Sequence, residues 1–553
     1  MFHTMMVGTR ILHESFYDYL WPLLSIHAIV VVFLFIAIWR AITKHIKKLE
    51  IVERLPGPPL TSEGKDFDIW MGNYKRVLDS FGHIPFYPNV PDPFKFYSLW
   101  NDQYAEHGLF RVWFLNPYRF LFARPNVIIH DPMLCRQLLE PISASKKLIK
   151  PPRIYAISSP VVGNSFLALP DNKEWKHQRR LAVPAFSQRV LEEACTVSYD
   201  LLNRAVFPYL SSRKTKIDAV EITTRLTLDV VGQVAFSYHF RGLETYCLDG
   251  QDKHDSLYSS FDILLTGITR QILNVPYTQY LPTSANFAVK RASKHLETVV
   301  QKVVETRLKE QLDSEKKGKE GTERKDLLAQ LLLQDENGHR LPVRNILGNV
   351  RMFLFAGHET TAATLARALW ALANDEPSQM RLREEVDSLY AVSDSPTYRQ
   401  LKESVFLDAV LREILRLHAP AGIARRTIED ITLTKEMDDG KKIEYLLPAG
   451  INLLIFPAIF QTMEKYEPYR PKDFVPDRWL TSKRSKNWMP FSVGPRNCIG
   501  EKLAMAELKA CIAHIIRHFY IRPSSCAVEP IPVLLLTIKP NQVHLDFERR
   551  VDT

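Results

Sequence analysis

The sequence predicts a mainly α-helical protein with a minor β region behind an N-terminal transmembrane helix, its length suiting three or four domains or one large α-rich domain with an appendage. Three observations carry this. Helical apolar periodicity dominates from Asp131 onward. One such pattern runs from Leu341-Pro342 to about Asn374. At ~1.5 Å per residue it spans roughly 45–50 Å, enough to cross a whole domain. A near-continuous apolar run occupies Leu20 to Trp39, interrupted only by Pro22, Ser25 and His27.

The apolar run comes first in the chain. Twenty apolar residues span roughly 30 Å, the thickness of the bilayer's hydrocarbon core. A cleaved signal peptide would have a shorter apolar region ending in small residues. Here the run ends in Trp39-Arg40 and meets Lys44, Lys47, Lys48 and Arg54, whereas Arg10 upstream is offset by Glu14 and Asp18. The positive-inside rule puts the chain beyond this run in the cytosol, so residues 1–54 read as an uncleaved anchor with a basic flank. Leu55-Pro56-Gly57-Pro58-Pro59 reads as a stiff spacer opening the body, residues 55–553. Leu109–Leu115 and Tyr118–Ala123, joined by Asn116-Pro117, predict a hairpin. Asp131-Pro132 predicts an N-cap with proline at the first helical position. The charged stretch Asp313 to Asp326 predicts an exposed loop, and Pro-rich segments return at 466–476 and 489–495.

Composition narrows the function. Of 553 residues, 46% are hydrophobic and 24% charged, which excludes a wholly disordered chain and a polytopic membrane protein. The net charge of +10 is mild and evenly spread, unlike that of a dedicated nucleic-acid binder. Six cysteines form no C-x-x-C pair, against a zinc ribbon or thioredoxin-like site.

Four strings carry chemistry. In Phe491-Ser492-Val493-Gly494-Pro495-Arg496-Asn497-Cys498-Ile499-Gly500, a loop marked by glycine and proline runs into an apolar helical pattern. Cys498 therefore sits near a helix N-terminus, where exposed N–H groups favour a thiolate, a nucleophile or metal ligand. A lone cysteine is more often a buried small hydrophobe, but the glycines and Arg496 suit a backbone pressed against a flat ligand. In Ala356-Gly357-His358-Glu359-Thr360-Thr361, a metalloprotease H-E-x-x-H is excluded because position 362 is Ala362. A threonine hydroxyl there can take the Ala356 carbonyl four residues back, opening a groove that holds a hydroxyl and a carboxylate; the alternative is a solvent-facing polar stripe. Glu413 and Arg416 share a helix face at i, i+3, as do Trp175 and Arg179 at i, i+4. Each pair alone is common.

Together and in this order, the strings resemble the cytochrome P-450 superfamily of haem-thiolate monooxygenases, over essentially the whole chain. F-x-x-G-x-R-x-C-x-G, A-G-x-E-T-T and E-x-x-R all match, Phe474-Val475-Pro476-Asp477-Arg478-Trp479 resembles the family's meander, and the anchor with its proline hinge resembles microsomal members. The resemblance implies the family's single large fold, with a long central helix crossing a haem b. It implies that Cys498 is the proximal ligand of the iron. Arg496, Trp175 and Arg179 pair with the haem propionates, with Arg425 a further candidate beside Arg426. Phe491, Gly494 and Gly500 shape the loop under the ring, Glu413, Arg416 and Arg478 lock the core, and Thr360 and Glu359 are the oxygen-activation pair.

The implied reaction inserts one oxygen of O2 into a lipophilic substrate. No G-x-G-x-x-G or P-loop pattern is present, so NADPH acts only indirectly. The implied partners are NADPH–cytochrome P-450 reductase on the endoplasmic reticulum membrane and cytochrome b5, with no nucleic acid. A basic face near Arg496, Lys502 and Lys509 is expected to steer the donor. Apolar segments at Ile154–Val162, Met352–Ala356, Ala419–Ala424 and Ile531–Leu536 are expected to line the substrate pocket, for a fatty acid, sterol or terpenoid. The strings look most like the branch containing long-chain fatty-acid ω-hydroxylases. Some of those bind haem through a glutamate ester at the position occupied here by Ala356, so no ester is expected. Oxygen-independent isomerases or dehydratases on the same scaffold, and a non-catalytic haem-binding protein, are the competing classes. The presence of Thr360 and Glu359 speaks against both.

Overall fold

The computed structural model describes residues 30–551 apart from 59–99, 101, 114–124, 214, 249–256, 274–279, 317–325, 334–339, 482–486 and 535. Helices make up most of it, with four small sheets among the described residues, in agreement with the predicted class. The largest sheet has five strands in the order Leu109–Trp113, Pro125–Ile129, Asn452–Ile455, Ile423–Thr427, Leu148–Ile149. The strand Pro125–Ile129 is buried along its whole length, as expected of a strand covered on both faces.

The predicted hairpin forms with a different second strand. Leu109–Trp113 pairs antiparallel with Pro125–Ile129, Leu109 facing Ile129, while the 118–123 run lies outside the described residues. Asp131 caps the next helix as predicted, accepting from the N–H groups of Met133 at 2.8 Å and Leu134 at 3.0 Å. The start of the stretch 313–326 is not loop, and residues 317–325 lie outside the described residues. The helix Ser284–Lys316 extends into it, and Asp326 is buried, where it pairs with Arg307 Nη1 at 2.9 Å. The charge that suggested exposure is the N-cap of the next helix, Leu327–Leu332.

Residues 30–53 are one helix. Its first part exposes Val30, Phe33 and Trp39, and its last part buries Leu49 and Val52 in the core around the five-stranded sheet. Among the described residues no helix is long and apolar enough to cross a membrane; positions 20–29 of the expected anchor lie outside them. The proline spacer is tied down, since Arg111 donates from its backbone N–H to Pro56 at 2.8 Å and from its side chain to Pro58 at 2.9 Å.

The long predicted helix is Val343–Asn374, 32 residues. Its N-terminal half, with Val350, Leu354 and Phe355, belongs to one apolar core, and its C-terminal half, with Leu365, Leu369 and Leu372, to another. It runs between them because small residues let its backbone be crossed closely. A Cβ on Gly348 would stand 2.6 Å from the Asn164 nitrogen, and Gly163 has φ +51° against Gly348 Cα.

Candidate active site

One cavity of about 350 Å³ collects most of the candidate residues, within the ~300–1,000 Å³ common for small-molecule sites. Its walls are the Cys498 loop, the middle of the central helix, the helix Lys173–Ala182, the segment Pro420–Arg425 and the Leu536-Thr537 bend.

The cysteine loop is shaped by Gly494. Its φ of +76° is left-handed, and a Cβ there would stand 1.9 Å from the Leu139 carbonyl oxygen. The turn brings the Cys498 N–H within 2.9 Å of the Phe491 carbonyl. Helix Glu501–His518 starts immediately after, with Gly500 as its N-cap residue. The thiol opens onto the cavity. Enclosure in protein pushes it up to about 11, against the pull of the Gly500 and Glu501 N–H groups and of Arg179. The helix N-terminus alone therefore does not make a thiolate here; burial outweighs it, and bonding to a metal is what deprotonates such a thiol. Gly500 is in ordinary contact range of its surroundings, a Cβ there lying 3.8 Å from Phe186 and 3.9 Å from Cys498 Sγ. What it leaves clear is space beside the sulfur.

Positive charge gathers at one end of the cavity. Arg496 pairs with Asp171, donates to the carbonyls of Phe166 at 3.0 Å and Leu169 at 2.7 Å, and lies 4.1 Å over the Trp175 ring. Arg179 donates to Asn497 at 2.7 Å. Arg425 is buried and burial lowers it to about 10. Successive strand residues point to opposite faces, so Arg425 lines the cavity and Arg426 does not. Lys150 is a fourth cation in this wall, pushed well below the usual lysine range by burial and by Arg425 and Arg496. Sequence reasoning missed it, because a single lysine in Leu148-Ile149-Lys150-Pro151 has no periodicity or motif to mark it. The buried Trp175 Nε1 has no hydrogen-bond partner among the described residues. Arg179, Arg425, Arg496 and Lys150, beside an orphaned indole N–H, fit the carboxylate groups of a haem.

The opposite wall is a stripe of the central helix: Phe353, Ala356, Gly357, Thr360, Thr361 and Thr364. Thr360 Oγ1 donates to the Ala356 carbonyl at 2.8 Å, as predicted, but the helix is not interrupted there. Nor does one groove hold both hydroxyl and carboxylate. Adjacent helical residues point ~100° apart, so Thr360 lines the cavity and Glu359 does not. Glu359 accepts from Thr537 Oγ1 at 3.2 Å and lies 3.6 Å from Lys539 Nζ and 3.6 Å from His358 Nε2. Burial pushes its carboxyl up, but the Lys539 charge, with His358 and Thr537, outweighs this and brings it down to about 2. A further acid, Glu507, reaches the cavity wall with Oε1 unpartnered among the described residues, and burial pushes its carboxyl well above the usual carboxylate range.

Away from the cavity, Glu413 is the hub of a buried network. It accepts from Arg416 Nη2 at 2.8 Å, Arg478 Nε at 3.0 Å, Trp479 Nε1 at 2.9 Å and the Val475 N–H at 2.9 Å. Arg416 also donates from Nε to Glu413 and to the carbonyls of Gln461, Pro471 and Asp473.

Two further sequence expectations fail. Residues 154–162 do not line the cavity; Phe166, Val230, Val231 and Val234 do, with Met352, Phe353 and Pro420–Ile423 as expected. The basic face loses two of its three members. Arg496 turns inward, and Lys509 is buried, 3.0 Å from Asp408 and donating to the Leu401 carbonyl. Of the three, only Lys502 is exposed.

A family model described as cytochrome P-450 matches residues 95–545. The chain belongs to the cytochrome P-450 family. Similar proteins include Arabidopsis thaliana cytokinin hydroxylase, 28% identical over 68% of this chain and 69% of that protein. Human cytochrome P-450 4A11 is 29% identical over 71% of this chain and 75% of its own length. The pig taurochenodeoxycholic 6 alpha-hydroxylase is 26% identical over 77% and 82%. The P-450 is accordingly a monooxygenase that carries haem b on a thiolate, takes electrons from a reductase and hydroxylates a lipophilic substrate with O2.

Proposed function

We propose that Cys498 would ligate the haem iron and that this P-450 hydroxylates a long apolar substrate of the fatty-acid, sterol or terpenoid type. The observation that carries this is the cavity joining the Cys498 thiol, the cluster of cations and the Thr360 hydroxyl. When bound, the haem supplies O2 activation and the oxidising power for the substrate C–H bond. The chain's own residues do the rest. Arg179, Arg425, Arg496, Trp175 and Lys150 would hold the propionates. Phe491, Gly494 and Gly500 would let the cysteine loop approach the group closely. Glu413, Arg416 and Arg478 brace the segment that carries it. The apolar walls exclude bulk water, and Ala356 leaves no carboxyl for a covalent tie to the ring.

Thr360 donates its own proton to Ala356, so its oxygen is left to accept from, and orient, a water in the cavity. Glu359 stands behind it as the acid that replenishes protons.

NADPH–cytochrome P-450 reductase, with cytochrome b5 as a second donor, docks on the side of the cysteine loop. Lys176 and Arg180 are exposed on the helix whose Arg179 binds Asn497, and with Lys502 they replace the face first expected. Residues 1–54 form the endoplasmic reticulum anchor, and the body from 55 onward faces the cytosol.

The test is a reduced, carbon-monoxide difference spectrum of membrane-expressed protein. The red-shifted Soret band of thiolate ligation is expected, and Cys498→Ala abolishes it. An unchanged band in that variant would show the ligand to be another residue.

A further inference from the structure

The acid beside Thr360 is held by a lysine from the far end of the chain, and that lysine has a second carboxylate within reach. Lys539, in the strand Ile538–Pro540, places Nζ 3.6 Å from Glu359 Oε1 and 3.7 Å from Asp262 Oδ1. The two carboxylates differ in surroundings: the Glu359 side chain is 3% exposed, whereas that of Asp262, on helix Leu257–Leu273, is 54% exposed. Thr537 bonds Glu359 and also lines the cavity. A file of polar groups therefore crosses an apolar wall, from the cavity through Thr537, Glu359 and Lys539 to Asp262 and solvent.

Among the described residues, the other groups facing this file are few. His358, fully buried on the same helix as Glu359, lies 3.6 Å from its carboxylate. From helix Ala219–Phe236, Glu221 adds negative charge that favours the Lys539 ammonium, while being itself paired to Arg225 at 3.0 Å.

We propose that Lys539 is a positioning residue that divides its charge between Glu359 and Asp262, locking Glu359 as a carboxylate while it leans inward and letting Glu359 take a proton when it swings outward. The reasons are elementary. A buried carboxylate that loses its cation is costly and neutralises itself by binding a proton. A lysine on its flexible four-carbon stem moves about an ångström or two at small cost. One proton enters from solvent along the Asp262 side and rests on Glu359. It then passes to the cavity through a hydroxyl, which restores the carboxylate and draws Lys539 back. No electrons move in this step. The inference rests on reading Glu359 and Thr360 as the proton-handling pair.

The experiment uses the full-length holoprotein and two readouts. Infrared spectroscopy reports the C=O stretch of a protonated carboxyl. At pH 7 the Glu359 band is expected to be absent in wild type, to appear in Lys539→Met, and to vanish again in Lys539→Met/Glu359→Gln. Coupling, the product formed per NADPH consumed, is the second readout. Lys539→Met is expected to lose coupled turnover on the order of tenfold, a part of the ~10²–10⁴-fold that a positioned proton donor contributes. It is also expected to acquire a pH dependence near neutrality that wild type lacks. Lys539→Arg, which keeps the cation, restores both. Asp262→Asn, at a half-exposed position, leaves Lys539 on Glu359 and lowers coupling without altering thermal stability. A Lys539→Met protein with no new carboxyl band and the wild-type pH profile would overturn the proposal. Full coupling in Glu359→Gln would instead overturn the relay reading beneath it, whatever the infrared band shows.

Discussion

Glu359 and Thr360 are neighbours in the chain whose side chains serve different surroundings: the Thr360 hydroxyl stands in the cavity wall, while the Glu359 carboxylate is buried behind it, 3.6 Å from Lys539. A pair that looks like one unit in the sequence is divided between two faces of the helix. That separation makes the two residues testable one at a time.

Thr360→Ala removes the hydroxyl proposed to orient water but only one local helix bond, worth about 1 kcal/mol. The variant is expected to fold, bind haem and show the thiolate spectrum, while diverting electrons to hydrogen peroxide. Peroxide and product measured against NADPH consumption check this, and fully coupled turnover would remove Thr360 from proton handling.

Glu359 carries a pH signature. Its carboxyl is held at about 2 in the folded protein, below the ordinary value of 4.5. A depressed acid stabilises the fold above its unfolded value and loses that stabilisation as pH falls toward its folded value. The difference in thermal midpoint between wild type and Glu359→Gln is therefore expected to be full above about pH 4.5 and to narrow as pH drops toward 2. Melting curves across that window give the answer.

Glu413→Ala leaves Arg416 buried without its carboxylate and Arg478, Trp479 and Val475 without their acceptor. Breaking a buried pair from one side costs about 3–5 kcal/mol. The expected result is a poor yield of folded holoprotein and a lowered thermal midpoint, without a specific change in substrate selectivity.

Gly494→Ala puts a methyl group into the Leu139 carbonyl on a backbone at φ +76°. The conformation alone costs of order 1–3 kcal/mol for a non-glycine residue, and the clash adds to it. Loss of the thiolate band with retention of overall helicity is expected. Gly500→Ala tests the neighbouring position, where contacts with the protein are ordinary; its apo-fold is expected to be intact and its haem affinity reduced.

Lys150→Met is expected to accelerate haem loss to an acceptor protein. Lys150→Arg, which keeps the charge, is expected to slow it again, because Lys150 shares the end of the cavity with Arg425 and Arg496. Haem transfer followed by absorbance separates the two.

Much of the site is legible in the chain itself. The cysteine loop, the Ala356–Thr361 string and the Asp131 cap are local: a left-handed glycine, a hydroxyl four residues from a carbonyl and a capping carboxylate leave their mark within a few positions. The Glu413–Arg416 pair is visible as spacing, but its third member, Arg478, lies 65 positions from Glu413 and joins it only by resemblance. Lys509 is misread because nothing nearby in the chain reveals that its helix face meets Asp408, or that Leu401 accepts its proton. Lys150, Thr537 and Lys539 escape notice for the same reason, since each acquires its partners from segments far away.

The mainly helical class, the place of Cys498 just before a helix and the Thr360 hydroxyl bond are settled by the order of amino acids alone, since each depends on periodicity or on backbone geometry within one turn. Three other features needed the packed molecule: Glu359 faces Lys539 rather than the cavity, Arg425 rather than Arg426 enters it, and Lys509 is buried. The physical reason is that a helix or strand offers several faces. Which face meets solvent, core or cavity is set by the elements that pack against it.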